Sequence, residues 1–138
     1  MNALDTNILI YAHDSRDPQK QQRAAKLIAS LTDGVLLWQV ACEYLAASRK
    51  LEPFGYSFSH ARQDIRDLRR LWTTQLPSWG VLDRASDLIS THKLSFWDAM
   101  IVAACLELGV ARLYTEDFGG QPHIDGLEIV NPFAENFG

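Results

Sequence analysis

The run Val35-Leu36-Leu37-Trp38 is apolar throughout and too short for a helix, so it reads as a strand buried on both faces. Such a strand needs helices above and below it, and the chain supplies them. Asp17-Pro18 starts one, with Asp as N-cap and Pro at the first helical position. Ala24, Leu27, Ile28 and Leu31 follow at helical spacing, and Gly34 is expected to close the helix. Further helices are predicted over 39–51, about 59–75, about 83–93, and from a Ser95 cap to Gly109. Other short strands are predicted at 2–5, 112–115 and 127–130, with one more near Trp79 between Pro77 and Gly80. Short apolar strands alternating with longer helices predict an α/β fold, a short, mostly parallel central sheet flanked by helices on both faces.

A chain of 138 residues with 47% hydrophobic and 22% charged residues is expected to fold as a single domain over 1–138. Its apolar stretches fall short of the roughly 18 residues a membrane span needs. Asp5 interrupts the start before a signal peptide could form, so a cytoplasmic protein with no membrane partner is expected. Cys42 and Cys105 each lie beside alanines in helical patterns and read as small buried hydrophobes, without a disulfide. His13, His60, His92 and His123 have no ligand spacing, which argues against zinc. A net charge of −4 argues against coating nucleic acid by bulk electrostatics. Setting aside Asp5, Glu43, Asp98, Glu116 and Asp117, the 17 acids fall to 12 against 13 basic residues, so the acidity is concentrated in these five.

Ligands of open parallel sheets gather at the carboxyl ends of the strands. Asp5 ends the first predicted strand there, although an N-cap role explains it equally well. Glu43 lies on a helical stripe with Gln39, Val40, Ala46 and Ala47, where an unpaired carboxylate is costly. Either a base such as Arg49 or Arg112 satisfies it, or that face is wet, or a cation binds it. Asp98 stands three residues after Ser95, a capping-box position, yet Ile101, Val102 and Cys105 turn the same face inward. Glu116 and Asp117 follow the strand at 112–115, where a turn acid is the plain reading. Acids carried by separate elements make a nest for a hard cation, magnesium or manganese, which prefers oxygen ligands. Arg62, Arg66 and Arg70 recur every four residues with Arg69 beside them. That stripe is either a solvated face or a docking strip for phosphates.

Taken in order, several segments resemble the PIN-domain family, more narrowly the VapC-like toxins of type II toxin–antitoxin modules. They are Leu4-Asp5-Thr6-Asn7, Glu43 inside a helix, Ser95-Phe96-Trp97-Asp98-Ala99 and Leu113-Tyr114-Thr115-Glu116-Asp117-Phe118. The close, Gly126-Leu127-Glu128-Ile129-Val130-Asn131-Pro132-Phe133, is similar to the family's ending. The likeness spans nearly the whole chain, and 52–94 carries no diagnostic residue.

The resemblance implies an endoribonuclease (a phosphodiester hydrolase) using one or two magnesium or manganese ions on Asp5, Glu43, Asp98 and Asp117. Asn7 and Thr115 would support the site, with Glu116 held in reserve beside Asp117. Structured RNA such as transfer or ribosomal RNA would be the substrate, a cognate antitoxin the partner, and a homodimer the assembly. Arg62, Arg66, Arg69 and Arg70 would then be the stripe that touches RNA. One rival is a catalytically degenerate PIN-like scaffold binding RNA or protein, which would tend to lose acids that are all present here. Another is a different magnesium-dependent phosphohydrolase; a haloacid-dehalogenase-like phosphatase would want a second aspartate where Asn7 stands.

Overall fold

All four residues of the strand Gly34–Leu37 (β2) are buried, as an apolar run covered on both faces requires. The structure, a computed structural model, describes residues 1–118 and 120–135; the rest of the expected unit lies outside the described residues. Among the described residues six strands form one sheet. They are β1 (Asn2–Leu4), β2, β3 (Thr73–Gln75), β4 (Arg112–Tyr114), β5 (His123–Ile124) and β6 (Leu127–Val130), in the order β3-β2-β1-β4-β6-β5. Every pairing is parallel except β5 with β6. The mostly parallel α/β sheet expected from the alternating pattern is therefore present.

Six α-helices connect the strands: α1 (Thr6–Tyr11), α2 (Pro18–Ser30), α3 (Trp38–Ala47), α4 (Phe58–Leu71), α5 (Trp79–His92) and α6 (Phe96–Leu108). Their starts follow local chemistry. Asp17 accepts the Lys20 amide ahead of Pro18, Ser57 accepts that of His60, Ser78 that of Val81 and Ser95 that of Asp98. Gly109, with φ of 76°, closes α6 in the left-handed conformation that suits glycine. The core runs through Leu4, Ile8, Leu37, Tyr44, Leu88, Val102 and Leu113, all nearly or wholly buried. Among the described residues no helix is long and apolar enough to cross a membrane.

Several boundaries differ from the sequence reading. Gly34 does not end α2, which stops at Ser30; it opens β2, pressed against the Trp72 indole where a Cβ would overlap the ring. The helix expected over 39–51 breaks at Ala47 into a 3₁₀ segment, Ser48–Phe54, that contains Pro53. The helix expected to reach Gln75 ends at Leu71, and 73–75 become the edge strand β3. Trp79 opens α5 and lies in no strand. Cys105 is buried but Cys42 is exposed, so only one of the two is a core residue; both thiols are free.

What positions the site is the strand order. Chain connections leave β1 toward β2 on one side, and β4 joins it in parallel on the other, so the strand order reverses between β1 and β4. A crevice opens at that switch point, beyond the carboxyl ends of the strands. Asp5 follows β1 and Asp117 comes shortly after β4, so paired neighbouring strands bring together two acids that most of the chain separates in sequence.

Candidate active site

Asp5 is the N-cap of α1 and is at the same time 5% exposed. Its Oδ1 accepts the Thr6 amide at 2.7 Å and its Oδ2 accepts the Thr115 hydroxyl at 2.8 Å. Burial pushes its pKa up to about 6, against the pull of those two donors; the nearby charges of Asp117 and Glu43 push it the same way as burial. One side chain therefore caps α1 and also lines the hollow described below.

The other three acids come from separate elements. Glu43 sits midway along α3, where its Oε1 accepts from Thr6 Oγ1 at 3.3 Å and from Gln39 Nε2 at 3.1 Å. Neither Arg49 nor Arg112 pairs with it, since Arg112 bonds Glu128 at 3.0 Å and Arg49 makes no ion pair among the described residues. Asp98 stands in the first turn of α6. Its amide is capped by Ser95, but the reciprocal half of the box is absent, which leaves its carboxylate unbonded by described residues. Asp117 accepts from Asn7 Nδ2 at 3.0 Å, and its own amide donates to Thr115 Oγ1 at 3.0 Å.

Asp5, Glu43, Asp98 and Asp117 all line one open hollow of about 410 Å³, with Thr6, Asn7 and Lys50 among the other lining residues. No lysine or arginine pairs with any of the four acids among the described residues. Asn7 donates to Asp117 and Thr115 donates to Asp5, so each bonds an acid of the hollow directly.

Glu116 faces elsewhere. Tyr11 donates to its Oε1 at 2.8 Å and Lys20 to its Oε2 at 2.8 Å, with the ammonium 4.5 Å above the Tyr11 ring. It anchors the turn after β4 to α1 and α2. Arg62, Arg66, Arg69 and Arg70 are exposed along α4, opposite buried Ala61, Ile65 and Leu68, and do not line the hollow. Lys50 and Arg16 do line it, and sequence reasoning passed over both. Arg16 is held by Asp14 through two bonds of 2.9 Å, whereas Lys50 makes no ion pair among the described residues. Gln39, read in the sequence only as a neighbour of Glu43 on its helical stripe, bonds that acid directly; its position one helical turn before Glu43 was the available signal.

The donor set fits a hard divalent cation. Four carboxylates without a compensating base repel one another, at several kcal/mol per close pair in a partly screened site, and a cation removes that repulsion. Among the described residues no group of three or more His, Cys, Asp or Glu side chains is drawn close enough to hold a metal ion by itself, so water and substrate oxygens would have to complete the shell. An open rim of acids is what magnesium uses, since it keeps several waters and takes only a few protein oxygens. Asn7 Oδ1 is buried with no hydrogen-bond partner among the described residues, an acceptor suited to such a water.

The family model for the PIN domain matches residues 3–127. The chain belongs to the PIN-domain family. Similar solved PIN-fold structures come from toxin–antitoxin proteins. A toxin–antitoxin complex from Klebsiella pneumoniae aligns with a TM-score of 0.67 at 25% identity, over 96% of this chain and 98% of the other. VapC20 of Mycobacterium tuberculosis, a sarcin–ricin loop cleaving toxin, aligns with a TM-score of 0.68 at 17% identity, over 86% and 92%. VapBC2 from Rickettsia felis, bound to a DNA fragment from its promoter, gives 0.64 at 18% identity, over 94% and 97%. Among curated proteins none matches. As a PIN domain the chain has its four acids at the carboxyl end of the sheet, in the crevice between β1 and β4.

Proposed function

We propose that this PIN domain is a magnesium- or manganese-dependent endoribonuclease and the toxin of a toxin–antitoxin pair. The observation that carries this is the convergence of Asp5, Glu43, Asp98 and Asp117, from four separate elements, on one open hollow with no base paired to them among the described residues. The resemblance of their motifs to VapC-like toxins and the toxin–antitoxin neighbours support the same reading.

A bound divalent ion supplies Lewis-acid polarisation of the scissile phosphodiester and of the attacking water. The protein's share is placement. Thr115 and Thr6 hold both oxygens of Asp5, Asn7 holds Asp117, and Thr6 with Gln39 holds Glu43. Asp5, Glu43 and Asp117, so held, would take up a cation with little rearrangement, and the unbonded Asp98 carboxylate would be free to join them. A carboxylate takes the water's proton as the water oxygen bonds to phosphorus. The bond to the leaving oxygen breaks, giving a 5′-phosphate and a 3′-hydroxyl. Lys50, exposed at the rim and without an ion pair among the described residues, is placed to meet a phosphate.

Structured RNA of translation is the proposed substrate class, and the cytoplasm the place of action. A cognate antitoxin and a second copy of the chain are the proposed partners. Trp79 at 80% exposure and Trp97 at 61% support a protein-covered face, since isolated domains seldom leave such rings in water. Incubating the purified chain with total RNA, single-stranded DNA and a phosphatase substrate, with manganese or with chelator, tests the reading. RNA cleavage that requires the metal supports it. Cleavage of the phosphatase substrate alone, or binding of RNA without cleavage, replaces it with one of the rivals.

A further inference from the structure

Gln39 bridges Glu43 on α3 and the backbone of α6 one residue before Asp98. Its Nε2 donates to Glu43 Oε1 at 3.1 Å and to the Trp97 carbonyl at 3.0 Å. One nitrogen therefore ties α3 to the first turn of α6, at the residue before Asp98. Both acceptors lack a hydrogen, so chemistry fixes the amide's orientation; turned over, its oxygen would face two oxygens. A helix carbonyl in the first turn already has its own partner one turn ahead. The second bond to Trp97 is thus a tether that satisfying the backbone does not require.

Thr6 donates to the same Glu43 Oε1, at 3.3 Å. Two donors occupy that oxygen, while no described residue bonds Oε2. An ordinary surface pair four residues apart on a helix would do the first of these things and not the second.

We propose that Gln39 is a positioning residue: its amide fixes Glu43 relative to Asp98, with Oε2 turned out to the hollow, so that both acids meet one divalent ion. The inference rests on the metal-dependent reading above. Ligand-orienting partners of this kind are typically worth about ten- to a hundredfold in metal affinity.

The test titrates the full chain with Mn2+ alone by calorimetry, for wild type, Gln39→Leu and Gln39→Asn. The asparagine keeps the amide but is one methylene too short to reach both acceptors, and it guards against the apolar change unsettling α3. Both variants are expected to bind Mn2+ about tenfold more weakly than wild type, with unchanged melting temperature in chelator. Their RNA cleavage should recover at excess Mn2+. Wild-type affinity in either folded variant overturns the role. So does a loss of metal-free stability that accompanies a rate no excess of Mn2+ restores, because that pattern belongs to a merely structural residue. A wild-type chain that neither binds Mn2+ nor cuts RNA removes the nuclease reading itself, whereas binding by wild type with unaffected variants removes only the part given to Gln39.

Discussion

Thr115 donates its one hydroxyl hydrogen to Asp5 Oδ2 at 2.8 Å, joining two buried residues 110 positions apart. Thr115 Oγ1 itself accepts the Asp117 amide at 3.0 Å and Asn7 Nδ2 at 3.4 Å. A single hydroxyl thus locks the end of β1 to the turn after β4, and its replacement is informative. Thr115→Val keeps the shape and removes all three bonds. It is expected to lower stability by about 1–3 kcal/mol, since buried partners are left unsatisfied, and to reduce RNA cleavage. Urea unfolding in chelator and cleavage at saturating manganese measure the two effects.

Asp5→Asn should abolish cleavage, because the amide cannot replace an anionic ligand. Without metal the variant should be at least as stable as wild type at neutral pH. The raised pKa of Asp5, about 6 against 3.8, means that ionising it in the fold opposes folding by up to about 3 kcal/mol. Part of that gain is offset, as Thr115 would have to face an amide hydrogen with an oxygen that already accepts two bonds. Cleavage at the wild-type rate would remove Asp5 from the machinery.

The same shift sets a pH dependence whose sign reverses with metal. In the metal-free chain the folded state keeps the Asp5 proton up to about pH 6, while the unfolded chain releases it near 4. The Asp5 contribution to stability is therefore fully present below about 4, declines between about 4 and 6, and is gone above. The stability difference between wild type and Asp5→Asn, from urea melts in chelator, should widen over that window in favour of asparagine. Manganese affinity should rise over the same window, because the cation competes with the proton.

Glu116→Gln should retain cleavage and manganese affinity, since both carboxylate oxygens are bonded to Tyr11 and Lys20. The pair is partly exposed, so the expected stability loss is at most about 1 kcal/mol. A collapse of manganese affinity would show that Glu116 joins the ligands after all.

The arginine stripe on α4 lies outside the hollow, so its proposed role is to hold RNA beyond the cleavage point. Reversing the charge of Arg62 and Arg66 should flatten the salt dependence of RNA binding by about one unit of log–log slope for each phosphate no longer neutralised. An unchanged slope assigns the stripe to solvent.

The residues of the candidate site were more legible in the sequence than the boundaries around it. Asp5 at a strand end, Glu43 on an apolar stripe and Asp98 in a cap stood out locally, whereas Asp117 was preferred to its neighbour Glu116 on the family resemblance. Their support was only partly legible. The bonds from Thr115 to Asp5 and from Gln39 to Trp97 are made across the fold, and no local periodicity encodes them. Strand β3 was hidden because Leu68 and Trp72 keep a four-residue spacing across the helix end, and Thr73–Gln75 is a short, polar edge strand. Gly34 resembled a helix terminator, whereas its lack of a side chain admits the Trp72 ring. The 3₁₀ segment hid for a similar reason, as Leu51 continues the apolar face of α3 beyond its last helical bond.

The pairing of β1 with β4 has a consequence for synthesis. Asn2–Leu4 are held against Arg112–Tyr114, so the middle of the sheet stays open while the ribosome adds more than a hundred residues. A nascent polypeptide displaying Asp5, Glu43 and Asp98 has neither Thr115 nor Asp117 to complete the crevice. Such long-range closure comes late in folding. If the product cuts RNA of translation, as proposed, the growing chain is harmless to the machine that makes it, and a premature stop ahead of Asp117 disarms it.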